Sequence, residues 1–483
     1  MKKAFVFLAV ILFTAVAVAE VQYEVEFDEE KVYTNVSIVS DCDQVCPGLS
    51  WRLMEGSKVL DVDDGSGELE YSREDDVLSI EGERTREENR TVKIQSVVNS
   101  SAEHVHEGLY ERQISLPSFQ DKKTTGVLKN PDIISGRADR SFESSFGEDR
   151  IEFRGEGPTN IIVNFGQGYS TEYFEFFGDV HEDPDDAFRL AVGTLELGPQ
   201  FERFAVSVMN EEEYMAEHES WSAGQYRSGS IKLRDDLDDN FLRVLAHETA
   251  HGLNDRKLSW DETSSSYFDE GTSEYVEFLM QKKRYREEKT DIGPQELFGE
   301  ETQYTDTDNP NRYYQVPPQG DKEQLWNYYR QEEDFMKYWS PAESAEHRNF
   351  GYAYSQLVIR NHIKENGTLN EVYDEMDSLE TTESYDTKWS FFSSHMDMKP
   401  CNYDSRERFE QCLDDINSFD YEINMADHDY KQGELEIDRI NLPNRTRESS
   451  GELGGEEVER FLFNLSQLVD RLIQSFQDLI NTF

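Results

Sequence analysis

Cysteine, basic side chains and long apolar runs are what this sequence of 483 residues has least of. Four cysteines allow two disulfides at most. Lysine and arginine together number 48 against 101 aspartates and glutamates, a formal charge of -53 spread along the chain, which excludes a polyanion such as nucleic acid as partner. Beyond residue 19 no run of eighteen apolar residues occurs, so no spanning helix is expected there. What is present is enough to build cores: 36% hydrophobic and 12% aromatic residues are not the composition of a disordered polyanion. A folded protein of this charge repels itself in dilute buffer and is at ease where salt screens it, which points to a high-salt habitat such as that of a halophilic archaeon.

Residues 1–19 combine Lys2 and Lys3, an apolar run from Ala4 to Val16 and the small residues Ala17, Val18 and Ala19 before Glu20. That is the layout of a secretory signal peptide, with a retained membrane anchor as the second reading. Export to an oxidising compartment agrees with the cysteines. Cys42 and Cys46 share one loop and Cys401 and Cys412 another, so two local disulfides are the simplest of three pairings. Asn-x-Ser/Thr triplets at Asn35, Asn89, Asn99, Asn366, Asn444 and Asn464 permit glycosylation. The acidic stretch from Asp61 to Glu68 has the look of a calcium loop, but its glycine falls one position early, and a hairpin turn is preferred over a structural calcium site.

The chemistry is concentrated in His247-Glu248-Thr249-Ala250-His251, followed after eighteen residues by Glu270. Histidines at i and i+4 leave a helix on one face and can reach one ion, while the glutamate beside the first can address a water on it. Apolar Phe241, Val244 and Leu245 at helical spacing, preceded by acidic residues and Asn240 as caps, place the motif on a half-buried helix. A carboxylate from the next helix, 269–288, completes three protein ligands and leaves a fourth position open, as in catalytic zinc sites. One turn after Glu270 stands Glu274, a candidate acceptor for a ligating imidazole N–H; a solvated carboxylate is the competing reading. The cations Lys282, Lys283, Arg284 and Arg286 near the end of that helix suit its dipole. His104 and His106, two apart, could share one face of a strand and bind metal, but surface placement is the preferred reading.

From His247 to Glu270 the chain resembles the gluzincin zinc metallopeptidases of the peptidase MA clan, the thermolysin and aminopeptidase N type. The resemblance implies that His247, His251 and Glu270 hold one zinc ion and that Glu248 is the general base. It also implies a tyrosine on a later helix that donates to the developing oxyanion; Tyr352 in Phe350-Gly351-Tyr352-Ala353-Tyr354 fits best, with Tyr354 as the fallback. Aminopeptidases of this type carry a Gly-Ala-Met-Glu-Asn strand whose glutamate grips the substrate amine. The corresponding segment, 221–233, has no such glutamate. It still alternates like an edge strand, with Gly224, Gln225 and Tyr226 as candidate contacts for an extended peptide, and an endopeptidase is favoured.

The expected architecture is α+β and multidomain: an N-terminal β-sandwich over 20–165, a thermolysin-like zincin catalytic domain over 166–300 and a C-terminal helical domain over 301–430. A flexible linker, 431–455, leads to an amphipathic helix, 456–483, whose apolar stripe runs from Phe461 to Phe483. Packing back on the enzyme, self-association and contact with a membrane surface are the three readings of that stripe. The whole reads as a secreted zinc peptidase acting on peptide or protein substrates. Its rivals are a zinc hydrolase of a non-peptide substrate on the same scaffold and a cell-surface binding or adhesion protein with an inactive zinc site.

Overall fold

The computed structural model describes residues 18–426 apart from 42–44, 47, 82, 85–88, 140–141, 148, 181–182, 199–202, 220–221, 256–257, 259–265, 288–315, 317–321, 332–333, 343–344 and 377–384, together with 437–440. Cys42, the leader up to residue 17, the helix 456–483 and all of the linker but 437–440 lie outside the described residues. The chain forms two compact units. Of the described residues, one gathers those up to Gly178 with those of Gln200–Ser207 and Ser228–Ser230; the other gathers those of Asp179–Pro199, Val208–Arg227 and from Ile231 on.

The first unit is β-rich. Its seven-stranded sheet runs, edge to edge, Phe142–Gly147, Arg150–Glu156, Lys123–Lys129, Val18–Phe27, Lys31–Asp41, Asn89–Asn99 and Lys58–Asp63. Strict alternation builds it: Val21, Tyr23, Val25 and Phe27 are buried while Gln22, Glu24 and Glu26 face out. Val18 and Ala19, the end of the expected leader, belong to the first strand. A second sheet orders Glu103–His106, Leu109–Leu116, Thr159–Phe165 and Ile133–Ala138. Ile114, Leu116, Ile161 and Val163 from it join Val21, Val25, Ile38 and Ile94 of the first sheet in one apolar core. The acidic segment 61–68 is a hairpin closed by an Asp63–Glu68 bridge. Its carboxylates are spent on its own turn: Asp63 accepts from the Gly65 amide and Asp64 from the Ser66 amide, with Arg90 3.8 Å from Asp64. His104 and His106 do not share a face. The register shifts between them, so His104 is exposed against Tyr110 and His106 is buried.

The second unit is mainly helical, with α1 (Asp185–Leu195), α2 (Glu211–Glu217), α3 (Phe241–Asn254), α4 (Ser266–Glu287), α5 (Lys322–Tyr328), α6 (Phe335–Tyr338), α7 (Ala345–Asn366), α8 (Asn370–Met376), α9 (Tyr385–His395) and α10 (Arg406–Ser418). Where helices come closest, glycine stands. A Cβ on Gly271 of α4 would lie 2.8 Å from the Ser355 carbonyl oxygen of α7, so the two helices meet backbone to backbone. Gly351 likewise leaves room for the indole of Trp339, whose Nε1 donates to the His347 carbonyl at 3.0 Å.

Two local expectations change. Asn240 makes no side-chain cap; a 3-10 turn, Asp235–Asn240, runs straight into α3. The segment 221–233 is not one strand but a hairpin, Gly224–Arg227 and Ser230–Arg234, reversing through Ser228 and Gly229, both at positive φ. Gly224–Arg227 is the outer of the two, at a sheet edge. Of the cations near the end of the second zinc helix, Lys282 and Lys283 are buried: Lys282 donates to Asp420 at 2.9 Å and to the Tyr421 carbonyl, and Lys283 to Asp186 at 2.7 Å. Both lie in the last two turns of α4, as expected, and serve packing of the unit. Cys401 and Cys412 are disulfide-bonded, joining the loop before α10 to α10 itself. Residues 437–440, within the segment expected as a linker, pair as a strand with Ile423–Ala426.

Candidate active site

On α3, Phe241, Val244, Leu245, Thr249 and Leu253 are buried at helical spacing, which fixes the helix rotation and turns His247, Glu248 and His251 toward α4 and the 224–227 strand. Glu270 approaches from the first turns of α4. His247 Nε2 and His251 Nε2 are 3.1 Å apart, and Glu270 Oε2 is 3.5 Å from the first and 3.3 Å from the second. Three ligands at about 2.0–2.1 Å from a tetrahedral ion stand about 3.3 Å from one another. The triangle therefore has the size a zinc ion requires. Glu270 Oε2 is buried without a hydrogen bond, and two imidazole Nε2 atoms facing each other at this distance cannot both carry hydrogens. Both observations fit a cation at the centre.

Each imidazole is held from behind. His247 Nδ1 is 3.0 Å from Glu277 Oε2, and His251 Nδ1 is 2.9 Å from Asp269 Oδ2. Arg243 in turn donates to Glu277 Oε1 at 2.6 Å. Glu274, the acceptor expected from the sequence, does not hold either imidazole N–H by hydrogen bond in this arrangement. It lies beside the pair formed by His247 and Glu277, close enough for a ligand-sized cluster, and is engaged by Gln356 of α7, whose Nε2 donates to the Glu274 carbonyl at 3.0 Å. Glu277 was legible in principle, since seven residues beyond Glu270 is two helical turns and thus the same face. Asp269 had no signal beyond adjacency to a ligand.

The electrostatics follow from this crowding. Burial by itself lowers the pKa of His247, but the neighbouring carboxylates of Glu270 and Glu277 outweigh it and hold the value at about 10. His251 is raised as well, burial being overcome by Asp269 and Glu270. Burial would raise Glu270, yet His251 and His247 bring it down to about 2. Glu274 goes the other way: burial and the Glu277 charge push it up to about 8. The positive charge that these carboxylates favour marks the place a divalent cation would occupy.

Glu248 is buried beside the ligands, and burial raises its pKa. The Tyr226 amide donates to its carboxylate, and Gly224 stands against it, so the edge strand and the glutamate are in direct contact. Ser222 Oγ donates to the Gly224 carbonyl at 2.7 Å and meets the buried Tyr214 hydroxyl at 2.8 Å, which ties this strand to α2. Gln225 points away, exposed.

The two tyrosines separate. Tyr352 is pushed upward by burial and then by the charges of Glu270, Glu274 and Glu248, which places its hydroxyl in their field and keeps it protonated. Tyr354 is fully buried and donates to the Met398 carbonyl within an aromatic cluster of Tyr328, Tyr329 and Phe350. His347, another residue near this helix start, is exposed with its ring against Phe335.

No family model matches the sequence, and no curated protein matches it. Solved structures do. An M1 zinc metallopeptidase from Deinococcus radiodurans aligns with 83% of this chain and 94% of its own at 11% identity and a TM-score of 0.34. A point mutant of that enzyme bound to a Tyr-Ser-Ala substrate aligns with 83% of this chain and 94% of its own at 10% identity and a TM-score of 0.33. Likeness at this level fixes neither activity nor substrate for the present chain.

Proposed function

We propose that this chain is a zinc-dependent peptidase, exported from the cell, in which His247, His251 and Glu270 hold the metal, Glu248 is the general base and Tyr352 stabilises the oxyanion. The observation that carries the reading is the triangle of His247 Nε2, His251 Nε2 and Glu270 Oε2, of zinc size, with a buried Glu248 alongside that no ligand contact requires. When bound, zinc would lower the pKa of a water to about 7 and polarise a carbonyl.

The rest is the work of side chains. Glu277 and Asp269 keep the Nδ1 hydrogens of the two histidines and thereby leave both Nε2 lone pairs for the metal. Glu248, oriented by the Tyr226 amide, takes a proton from the attacking water and later gives it to the leaving amine. Tyr352, held protonated, donates to the oxygen on which negative charge develops. An extended substrate would lie along Gly224–Arg227, which is both a sheet edge and the strand touching Glu248. With no glutamate on that strand to grip an N-terminal amine, internal cleavage is favoured over removal of single residues.

Cleavage of a mixed peptide library in multimolar KCl, followed by mass spectrometry, tests this. The wild-type chain should cut within peptides, and Glu248→Gln should bind zinc but not cut. Turnover by Glu248→Gln would remove Glu248 from the mechanism, and cuts confined to N-termini would replace the endopeptidase by an aminopeptidase.

A further inference from the structure

Asn254 lies three residues beyond His251 and is wholly buried. Its Nδ2 is 2.8 Å from Asp269 Oδ1 and 2.7 Å from Thr272 Oγ1, and its Oδ1 is 2.6 Å from the hydroxyl of Tyr373 on α8. Asp269 uses its other oxygen, Oδ2, on His251 Nδ1 at 2.9 Å. Four side chains from three helices thus form an unbroken run that begins at Tyr373, which touches no ligand, and ends on one.

The direction of every bond in the run is fixed by chemistry. A carboxylate can only accept, so the NH2 end of the Asn254 amide must face Asp269 and its carbonyl oxygen must face Tyr373. The Tyr373 hydroxyl is therefore a donor. Thr272 Oγ1 accepts the second amide hydrogen and sends its own to the Phe268 carbonyl at 2.9 Å, which leaves the amide no alternative orientation. At the far end Asp269 must receive a hydrogen from His251 Nδ1. The tautomer that results presents the Nε2 lone pair toward His247 and Glu270. Packing does not explain the hydroxyl: the Tyr373 ring sits edge-on to Phe268 at 5.5 Å, a contact phenylalanine would make equally well.

We propose that Tyr373 is a positioning residue of the metal centre, setting the ring orientation and tautomer of His251 through Asn254 and Asp269. The proposal rests on the zinc reading above. It extends the apparatus of the site to a helix outside the pair that carries the ligands.

The test is a double-mutant cycle on zinc affinity, read by competition with a chromophoric chelator on the full chain, using Tyr373→Phe, Asp269→Asn and the two combined. Loss of a hydrogen-bonded partner behind a ligand costs about 10-fold to 100-fold in affinity. Tyr373→Phe is expected near the lower end, about tenfold, and to add less than about twofold once Asp269→Asn is present, because the run is already cut. Wild-type affinity in Tyr373→Phe overturns the proposal. So does a tenfold loss that persists in the Asp269→Asn background, since the hydroxyl would then act by general loosening. Should Tyr373→Phe fail to fold, Thr272→Val, which frees the Asn254 amide, must weaken zinc binding in the same sense; unchanged affinity overturns the proposal. Failure of the wild-type chain to bind zinc would overturn the zinc reading and the relay with it, whereas tight wild-type binding with unaltered variants would overturn the relay alone.

Discussion

Gly224 stands so close to Glu248 that a methyl group added to it would come within 2.8 Å of Glu248 Oε1 and 2.7 Å of Val244 Cγ1. The strand can lie against α3 only because residue 224 has no side chain. Gly224→Ala should push the strand off the glutamate, which also loses the orienting Tyr226 amide. Misplacement of a catalytic group by about 1 Å can cost about 100-fold. The expected outcome is a fall in kcat/KM of about tenfold to 100-fold with zinc content unchanged. A Gly224→Ala enzyme with wild-type kinetics would show that the strand does not set the position of Glu248.

The carboxylates behind the ligands should divide sharply. In Glu277→Gln the single amide oxygen cannot accept from both Arg243 and His247 Nδ1 as the carboxylate does, and zinc affinity should drop about 10-fold to 100-fold. Glu274→Gln keeps the shape of a side chain that burial already pushes toward its neutral form, and its zinc affinity should stay within about threefold of wild type. Equal losses in the two variants, measured by chelator competition, would return the supporting role to Glu274.

That division marks where sequence reading stops. Two histidines four apart announce their geometry, because helix periodicity alone puts them on one face, and an eighteen-residue gap to Glu270 needs only a return helix. Glu274 and Glu277 are both within two turns of Glu270, and which of them meets His247 depends on the crossing of α3 and α4. That crossing is decided by side-chain packing and by the close approach at Gly271, neither of which leaves a periodic signature. The hairpin at Ser228 and Gly229 was hidden for a related reason: alternation continues through a tight reversal, so a hairpin reads like one strand. The ion pairs of Lys282 and Lys283 left no local signal because their partners, Asp420 and Asp186, are remote in sequence.

Zinc binding should release protons in a stated number. In the metal-free protein His247 is held at about 10 and is protonated at pH 8, where an imidazole of ordinary pKa would be neutral, while the Nε2 of His251 that faces it at 3.1 Å carries no hydrogen. A histidine that binds a metal must be neutral, and His247 then gives up its proton. Titration of zinc into weakly buffered metal-free protein at pH 8 should release about one proton per ion, and affinity should rise with pH until His247 deprotonates unaided. Release near zero would mean that the carboxylates do not charge the imidazoles before the metal arrives.

The two tyrosines of α7 offer opposite expectations from the same substitution. Tyr352 lies in the field of Glu248 and Glu270, so Tyr352→Phe should lower kcat about 100-fold, as loss of an oxyanion donor does, with zinc affinity and melting temperature little changed. Tyr354 donates inside the core to the Met398 carbonyl, and Tyr354→Phe strands that buried acceptor. A stranded buried group costs about 1–3 kcal/mol. Tyr354→Phe should therefore melt earlier and keep its kcat. Reversal of the pattern, with kcat lost in Tyr354→Phe and only stability lost in Tyr352→Phe, would move the oxyanion donor to the fallback residue and require α7 to sit one third of a turn or more from its present rotation.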